Sequence, residues 1–243
     1  MVDLLLPGAP APLPIAAVCF DAYGTLLDVH SAVARVAASS TRTAAPDRFD
    51  SLSALWRDKQ LAYTWLRNSM RCHADFATVT ADALDHALAA YGLDGDAALR
   101  TALLDAYRSL SPYPEVPEAL RRLRAAGVPL AVLSNGTPEM LARGLANAGI
   151  AALLDAVISV EELGVFKPVP EVYALATRRF GVPARRILFI SANGWDVHGA
   201  ASFGCTVVHL NRQQAAAERL PGRPAHTLAD LAPLPELFHG NFE

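Results

Sequence analysis

IAAVCFDAYGTLLDVHSA, residues 15–32, is an apolar run that stops at Asp21 and passes directly into turn-permissive and polar positions. An unbroken apolar segment over 16–20 is the pattern of a parallel strand buried on both faces. The carboxylate then stands at the strand's carboxyl end, where open α/β sheets bind their ligands. Further short apolar runs at 130–133, 187–190 and 205–210, with AVISV at 156–160, predict four more buried strands.

Helical segments separate the later runs. Thr137 is placed to cap a helix with Pro138 at its first position and Gly149 just past its end, and Pro117 and Gly127 bracket EALRRLRAA in the same way. Strand and helix alternating in this manner predict right-handed crossovers and a doubly wound parallel sheet, an α/β fold. Residues 30–110 differ, reading as helix after helix. Leu52, Leu55, Trp56, Tyr63, Leu66 and Met70 form an apolar stripe, and Thr80 opens a helix that ends by Gly92. A helical module is thus expected to interrupt the sheet domain. The expected organisation is a flexible arm over 1–14, where prolines follow three leucines, a core over 15–28 and 113–243, and an inserted helical cap over 29–112.

The chain has 243 residues, 52% of them hydrophobic, enough for a sizeable core rather than disorder. A net charge of -3 without a polybasic cluster gives no attraction to nucleic acid or an anionic membrane, and no apolar stretch is long enough to span a bilayer. The three cysteines, 19, 72 and 205, lack disulfide or zinc spacing, and the N-terminus lacks a signal peptide's basic start, so a cytoplasmic protein with a small-molecule partner is expected.

Several strand ends deliver polar groups to one edge: Asp21; Ser134 with Asn135; Ser191 with Asn193 and Asp196. Taken singly, each is an ordinary turn or capping residue. Together with Lys167, whose ammonium keeps carboxylates ionised, they form a candidate site.

FDAYGTLLD, LSNG, Lys167-Pro168 and ILFISANGWD resemble, in order and spacing, the four motifs of the haloacid dehalogenase superfamily. SALWRDKQLAYTWLRNSM at 53–70 is similar to the cap helix of its L-2-haloacid dehalogenases. The resemblance implies a Rossmann-like core, hydrolysis of L-2-haloalkanoic acids through an aspartyl ester on Asp21, and no cofactor. It implies that Thr25 and Ser191 hold Asp21, that Lys167 keeps it deprotonated, and that Tyr173 supports Lys167 or the substrate carboxylate. Asp196 with Asn193 positions water. Ser134 and the backbone around Ala22, Tyr23 and Asn135 bind the carboxylate; Arg57 accepts halide with Asn135 as partner, and Trp195, Leu61 and Phe76 line the pocket. Family members are often dimers, and the aromatic-rich cap helix offers such an interface.

The alternative within the superfamily is a magnesium-dependent phosphatase. Its general acid falls two residues after the nucleophile, where this chain has Tyr23, and its Gly-Asp pair falls where this chain has Ser191-Ala192. A halide leaves as a stable anion and needs no acid, and a methyl group cannot ligate magnesium, so no metal is expected. His30, His73 and His198 have no triad spacing and are assigned no role.

Overall fold

The computed structural model describes residues 2–8, 10–39 and 46–239. In chain order the strands are β1 (Val2–Leu4), β2 (Leu13–Ile15), β3 (Ala17–Phe20), β4 (Leu130–Ser134), β5 (Ala156–Ser159), β6 (Ile187–Ser191), β7 (Thr206–Leu210), β8 (His226–Leu228) and β9 (Phe238–His239). The helices are α1 (Ser31–Ser39), α2 (Pro46–Met70), α3 (Phe76–Ala90), α4 (Ala97–Tyr107), α5 (Val116–Ala125), α6 (Pro138–Asn147), α7 (Pro170–Phe180) and α8 (Gly194–Phe203).

Six parallel strands form one sheet in the order β5-β4-β3-β6-β7-β8. All four residues of β3 are buried, as are all five of β4 and of β6, which is why these segments are apolar without alternation. The chain steps outward from β3 to β4 and β5, then returns to lay β6 on the other side of β3. Strand order therefore reverses between β3 and β6, and the crevice at their carboxyl ends receives the groups that follow Phe20 and Ile190.

Helices α1 to α4 lie between β3 and β4 in sequence. The chain leaves and returns at one point: Asp28 N–H donates to Ser111 C=O and Tyr113 N–H to Leu26 C=O, with Leu27 bridged antiparallel to Pro112. Asp75 caps α3 by accepting from Thr78 N–H, so α3 begins at Phe76 rather than at Thr80. The apolar stripe expected along α2 also divides. Leu52 and Trp56 are buried, but the row continues at four-residue spacing through Gln60 and Thr64, while Leu66 and Met70 face solvent. Polar residues take this buried face because each finds hydrogen bonds there.

The N-terminus is not the expected loose arm. Val2–Leu4 pairs antiparallel with Leu13–Ile15 on one side and with Phe238–His239 on the other. Leu4, Leu6 and Ile15 are buried and Leu5 is not, a period-two pattern that the intervening prolines obscure. The C-terminal segment, unread from sequence, adds β8 to the edge of the parallel sheet. Among the described residues no helix is long and apolar enough to cross a membrane.

Candidate active site

Asp21 continues the ladder of β3, its N–H donating to Ile190 C=O at 2.9 Å, so the direction of its side chain is set by the sheet. The chain then turns at Gly24, whose φ of 87° strains any residue with a Cβ. That turn brings Thr25 back beneath the carboxylate: its Oγ1 donates to Asp21 Oδ2 at 3.0 Å and accepts from Ala192 N–H at 2.9 Å. A second turn, Ser134-Asn135-Gly136, packs so closely on the Tyr23 ring that a Cβ at Gly136 would stand 2.8 Å from it.

Lys167 is wholly buried between two carboxylates, its Nζ 3.1 Å from Asp21 Oδ1 and 2.8 Å from Asp196 Oδ2. Burial alone would drive the ammonium to release its proton. The charges of Asp196 and Asp21 outweigh that, and the Lys167 pKa lies above its ordinary value. One cation faces two anions, however, and the excess negative charge falls on the more deeply buried of them. Burial pushes Asp196 up to about 6, against the opposing pull of Lys167 and of the Tyr173 hydrogen bond. Between the carboxylates stands the Lys167 ammonium, and among the described residues no group of three His, Cys, Asp or Glu side chains is placed to bind a metal.

The second oxygen of Asp21 is held from the other side. Asn193, the residue before α8, donates from Nδ2 to Asp21 Oδ2 at 2.7 Å and to Tyr23 C=O at 3.1 Å, and its Oδ1 accepts from Arg57 Nη2 at 3.1 Å. Arg57 reaches down from α2 and also donates to Tyr23 C=O at 3.1 Å. The helical layer and the nucleophile's turn thus share one hydrogen-bond cluster.

Two residues act differently from their expected roles. Ser191 does not bond Asp21; its Oγ accepts from Asn193 N–H at 3.1 Å and shapes the turn that aims Asn193. Tyr173, fully buried, donates neither to Lys167 nor toward the open site but to Asp196 Oδ1 at 2.7 Å, because α7 presents it to the underside of α8. Asn135 accepts the backbone N–H of Lys167 on its Oδ1 at 2.9 Å. Ser134 accepts from Gly136 N–H, and its own proton has no protein acceptor among the described residues. Ala22 is buried and its carbonyl closes the turn, accepting from the N–H groups of Thr25, Leu26 and Leu27.

Aromatic side chains pack around the Tyr23 ring and at the start of α8. Phe76 packs 5.5 Å from the Tyr23 ring and 6.1 Å from Phe166, and Trp195 meets Trp65 edge-on at 5.5 Å with its indole N–H buried and unpartnered. Leu61 borders a cavity of about 440 Å³ that reaches Gly24, Arg57, Asn193 and Arg212. A larger cavity, about 770 Å³, lies outside β5 and α7 and contains none of these groups. Of the unassigned histidines, His30 lines the cavity beside Arg57 and bonds Ser53, while His73 faces Glu161 and His198 faces Pro221 C=O.

Sequence reasoning passed over three residues that the structure brings to this site. Asn68 grips the residue before Lys167 twice, donating to Phe166 C=O at 2.8 Å and accepting from its N–H at 3.0 Å. Gln60 meets Arg57 at 2.8 Å. Arg212 donates to Thr25 C=O at 2.9 Å while stacked on Tyr113 and paired with Glu115. Only Gln60 carried a sequence signal: it lies three residues from Arg57 on one helix.

Comparison with known proteins gives the family. A family model described as haloacid dehalogenase-like hydrolase matches residues 15–204. The (S)-2-haloacid dehalogenase of Pseudomonas putida is 42% identical over 218 residues, covering 90% of this chain and 94% of that one. The solved structure of L-2-haloacid dehalogenase from Xanthobacter autotrophicus with chloropropionic acid covalently bound is 38% identical with a TM-score of 0.83, covering 92% of this chain and 98% of that one. A dehalogenase solved as an intermediate complex is 40% identical with a TM-score of 0.86, covering 92% of this chain and 96% of that one.

Proposed function

Because the chain belongs to the haloacid dehalogenase-like hydrolases, we propose that it removes halide hydrolytically from short L-2-haloalkanoic acids, giving 2-hydroxy acids inverted at carbon 2. The observation that carries this reading is the unequal loading of the Asp21 carboxylate. Among the described residues Oδ2 accepts from both Thr25 and Asn193, whereas Oδ1 accepts from Lys167 alone. Oδ1 keeps the freer lone pair and attacks carbon 2 in line; the carbon–halogen bond breaks and halide departs with its electron pair.

The ester that forms leaves Oδ2 as its carbonyl oxygen. Water attacks that carbonyl, and the negative charge that develops on Oδ2 meets two donors already in place, the Thr25 hydroxyl and the Asn193 amide. Asp196, ionised above about pH 6, takes the water's proton, steadied by Tyr173 and Lys167. Collapse breaks the Cγ–Oδ1 bond, Asp196 returns its proton to the departing alkoxide, and the 2-hydroxy acid leaves with a former Asp21 oxygen as its hydroxyl, while Asp21 sheds the remaining water proton to solvent and is a carboxylate again.

The remaining groups bind rather than react. The free proton of Ser134 and the backbone of Ala22, Tyr23 and Asn135 receive the substrate carboxylate, and Arg57 attracts the leaving halide. Phe76, Leu61 and Trp195 keep water from a nucleophile that full hydration would slow. Tyr23 argues against phosphoryl transfer, since its phenol is buried, its pKa is raised by that burial, and it packs between Phe76 and Tyr107 where a general acid would be needed. The exposed Leu66 and Met70 on α2 offer a face for a second copy, which light scattering decides, and the three free cysteines suit a reducing cytoplasm.

Halide release from L-2-chloropropionate in excess chelator tests the reading. Turnover undiminished by chelator is expected. Strict dependence on magnesium, with phosphate release from small phosphate esters, would replace it with the phosphatase.

A further inference from the structure

We infer that Gln60 is a positioning residue for the halide step: it sets the plane of the Arg57 guanidinium and thereby tunes how well poor leaving groups are expelled. The inference rests on the proposed dehalogenation and on Arg57 as the group that meets halide. Gln60 is 1% exposed and stands in the buried row of α2 where the helix pattern calls for an apolar side chain. Burying an amide in that row is costly unless it is bonded throughout, and here it is.

The direction of every bond follows from chemistry. A guanidinium only donates, so the Gln60 atom 2.8 Å from Arg57 Nη1 is the carbonyl oxygen. The Gln60 amide nitrogen then faces Thr80 Oγ1 at 2.7 Å and Tyr107 Oη at 3.0 Å. Thr80 gives its own proton to Phe76 C=O at 2.6 Å, so it can receive the one from Gln60. Trp56 closes the cluster from above, donating from Nε1 to Thr80 C=O at 2.9 Å, and Tyr107 is wedged against the rings of Trp56 and Tyr23. The amide can turn over only by breaking all of these bonds together.

The consequence falls on Arg57. Its Nη2 spends both protons on Tyr23 C=O and Asn193 Oδ1, and Nη1 spends one on Gln60. Tyr107, itself bonded to Gln60, also meets the guanidinium, so only part of its remaining N–H capacity is left for an anion. Tyr23 and Asn193 belong to the nucleophile's own turns, so Gln60, with Tyr107 bonded to it, ties the guanidinium to the other helices of the helical layer. A fixed donor is worth most where charge develops latest and most fully, in expulsion of chloride rather than bromide. Substrate binding, carried by the groups around Ser134, is left alone.

Steady-state halide release from L-2-chloropropionate and L-2-bromopropionate tests the inference with Gln60→Leu, Gln60→Glu and Thr80→Val, each checked for folding by circular dichroism. Gln60→Leu is expected to lower kcat on the chloro acid roughly ten- to a hundredfold, the range for losing one bond to a charged group, and clearly less on the bromo acid, with KM within about twofold. Gln60→Glu, which keeps the acceptor but cancels the Arg57 charge, shifts the ratio the same way. If the leucine variant does not fold, Thr80→Val carries the same test through Gln60's partner. In an Arg57→Lys background, Gln60→Leu is expected to add less than about a twofold effect. Equal loss on both substrates, or full additivity with Arg57→Lys, overturns the inference while leaving the dehalogenase reading intact. A wild-type enzyme that releases neither halide overturns the functional reading and this inference with it.

Discussion

Replacing Lys167 by Met keeps an unbranched stem in the cavity and removes the one cation between Asp21 and Asp196. Nζ stands 2.8 Å from Asp196 Oδ2, and at an effective dielectric of about 20 their attraction is about 6 kcal/mol. The repulsion from Asp21 already helps hold Asp196 up in the wild type, so losing that attraction raises it further and the bare pair holds a proton through neutral pH. In the wild type, Lys167 has its pKa raised above the ordinary lysine value and so stays charged through neutral pH, while Asp196 titrates near 6. The acid limb of kcat is therefore expected near pH 6 in the wild type and well above pH 7 in Lys167→Met. At pH 7 most of the variant is held in the protonated, unreactive form, and part of the loss returns as pH rises. Initial rates of halide release across this range give the comparison. A variant whose loss is the same at every pH would refute the argument, because damage to folding alone has no such limb.

Tyr173→Phe strips the bond from Asp196 Oδ1 and leaves that buried oxygen short of a donor, so the acid limb moves above pH 6 and stability falls by about 1–3 kcal/mol, read by urea titration. Asn68→Ala loses two hydrogen bonds between α2 and the loop carrying Lys167; a cost of about 1–3 kcal/mol is expected, seen as a lower melting temperature together with a lower kcat. Gly136→Ala places a methyl group against the Tyr23 ring and should cost about 1–3 kcal/mol by calorimetry, whereas an unchanged melting temperature would mean that this contact is not tight.

The parallel sheet was legible because strands buried on both faces are written as unbroken apolar runs, each ending at the residue that enters the crevice. The N-terminal sheet was not, since its strands are only two or three residues long, β1 and β2 are separated by prolines, and the pairing rests partly on residues more than two hundred positions away. Within the site, residue types were readable and partners were not. Lys167 beside carboxylates follows from charge, but that Tyr173 would serve Asp196 and Asn135 the Lys167 backbone depends on how α7 and the loop before it pack. Gln60 was hidden for a related reason: a polar residue in a helix reads as solvent-facing until its buried partners are known.

The central claim is that Asp21, not water, attacks the carbon bearing the halogen. A single turnover in ¹⁸O water, with enzyme in excess over L-2-chloropropionate, tests it most directly by mass spectrometry of both the product and the Asp21 peptide. The account predicts an unlabelled 2-hydroxy acid and one ¹⁸O in the Asp21 carboxylate. Label in the product of that first turnover, with Asp21 unlabelled, would contradict it.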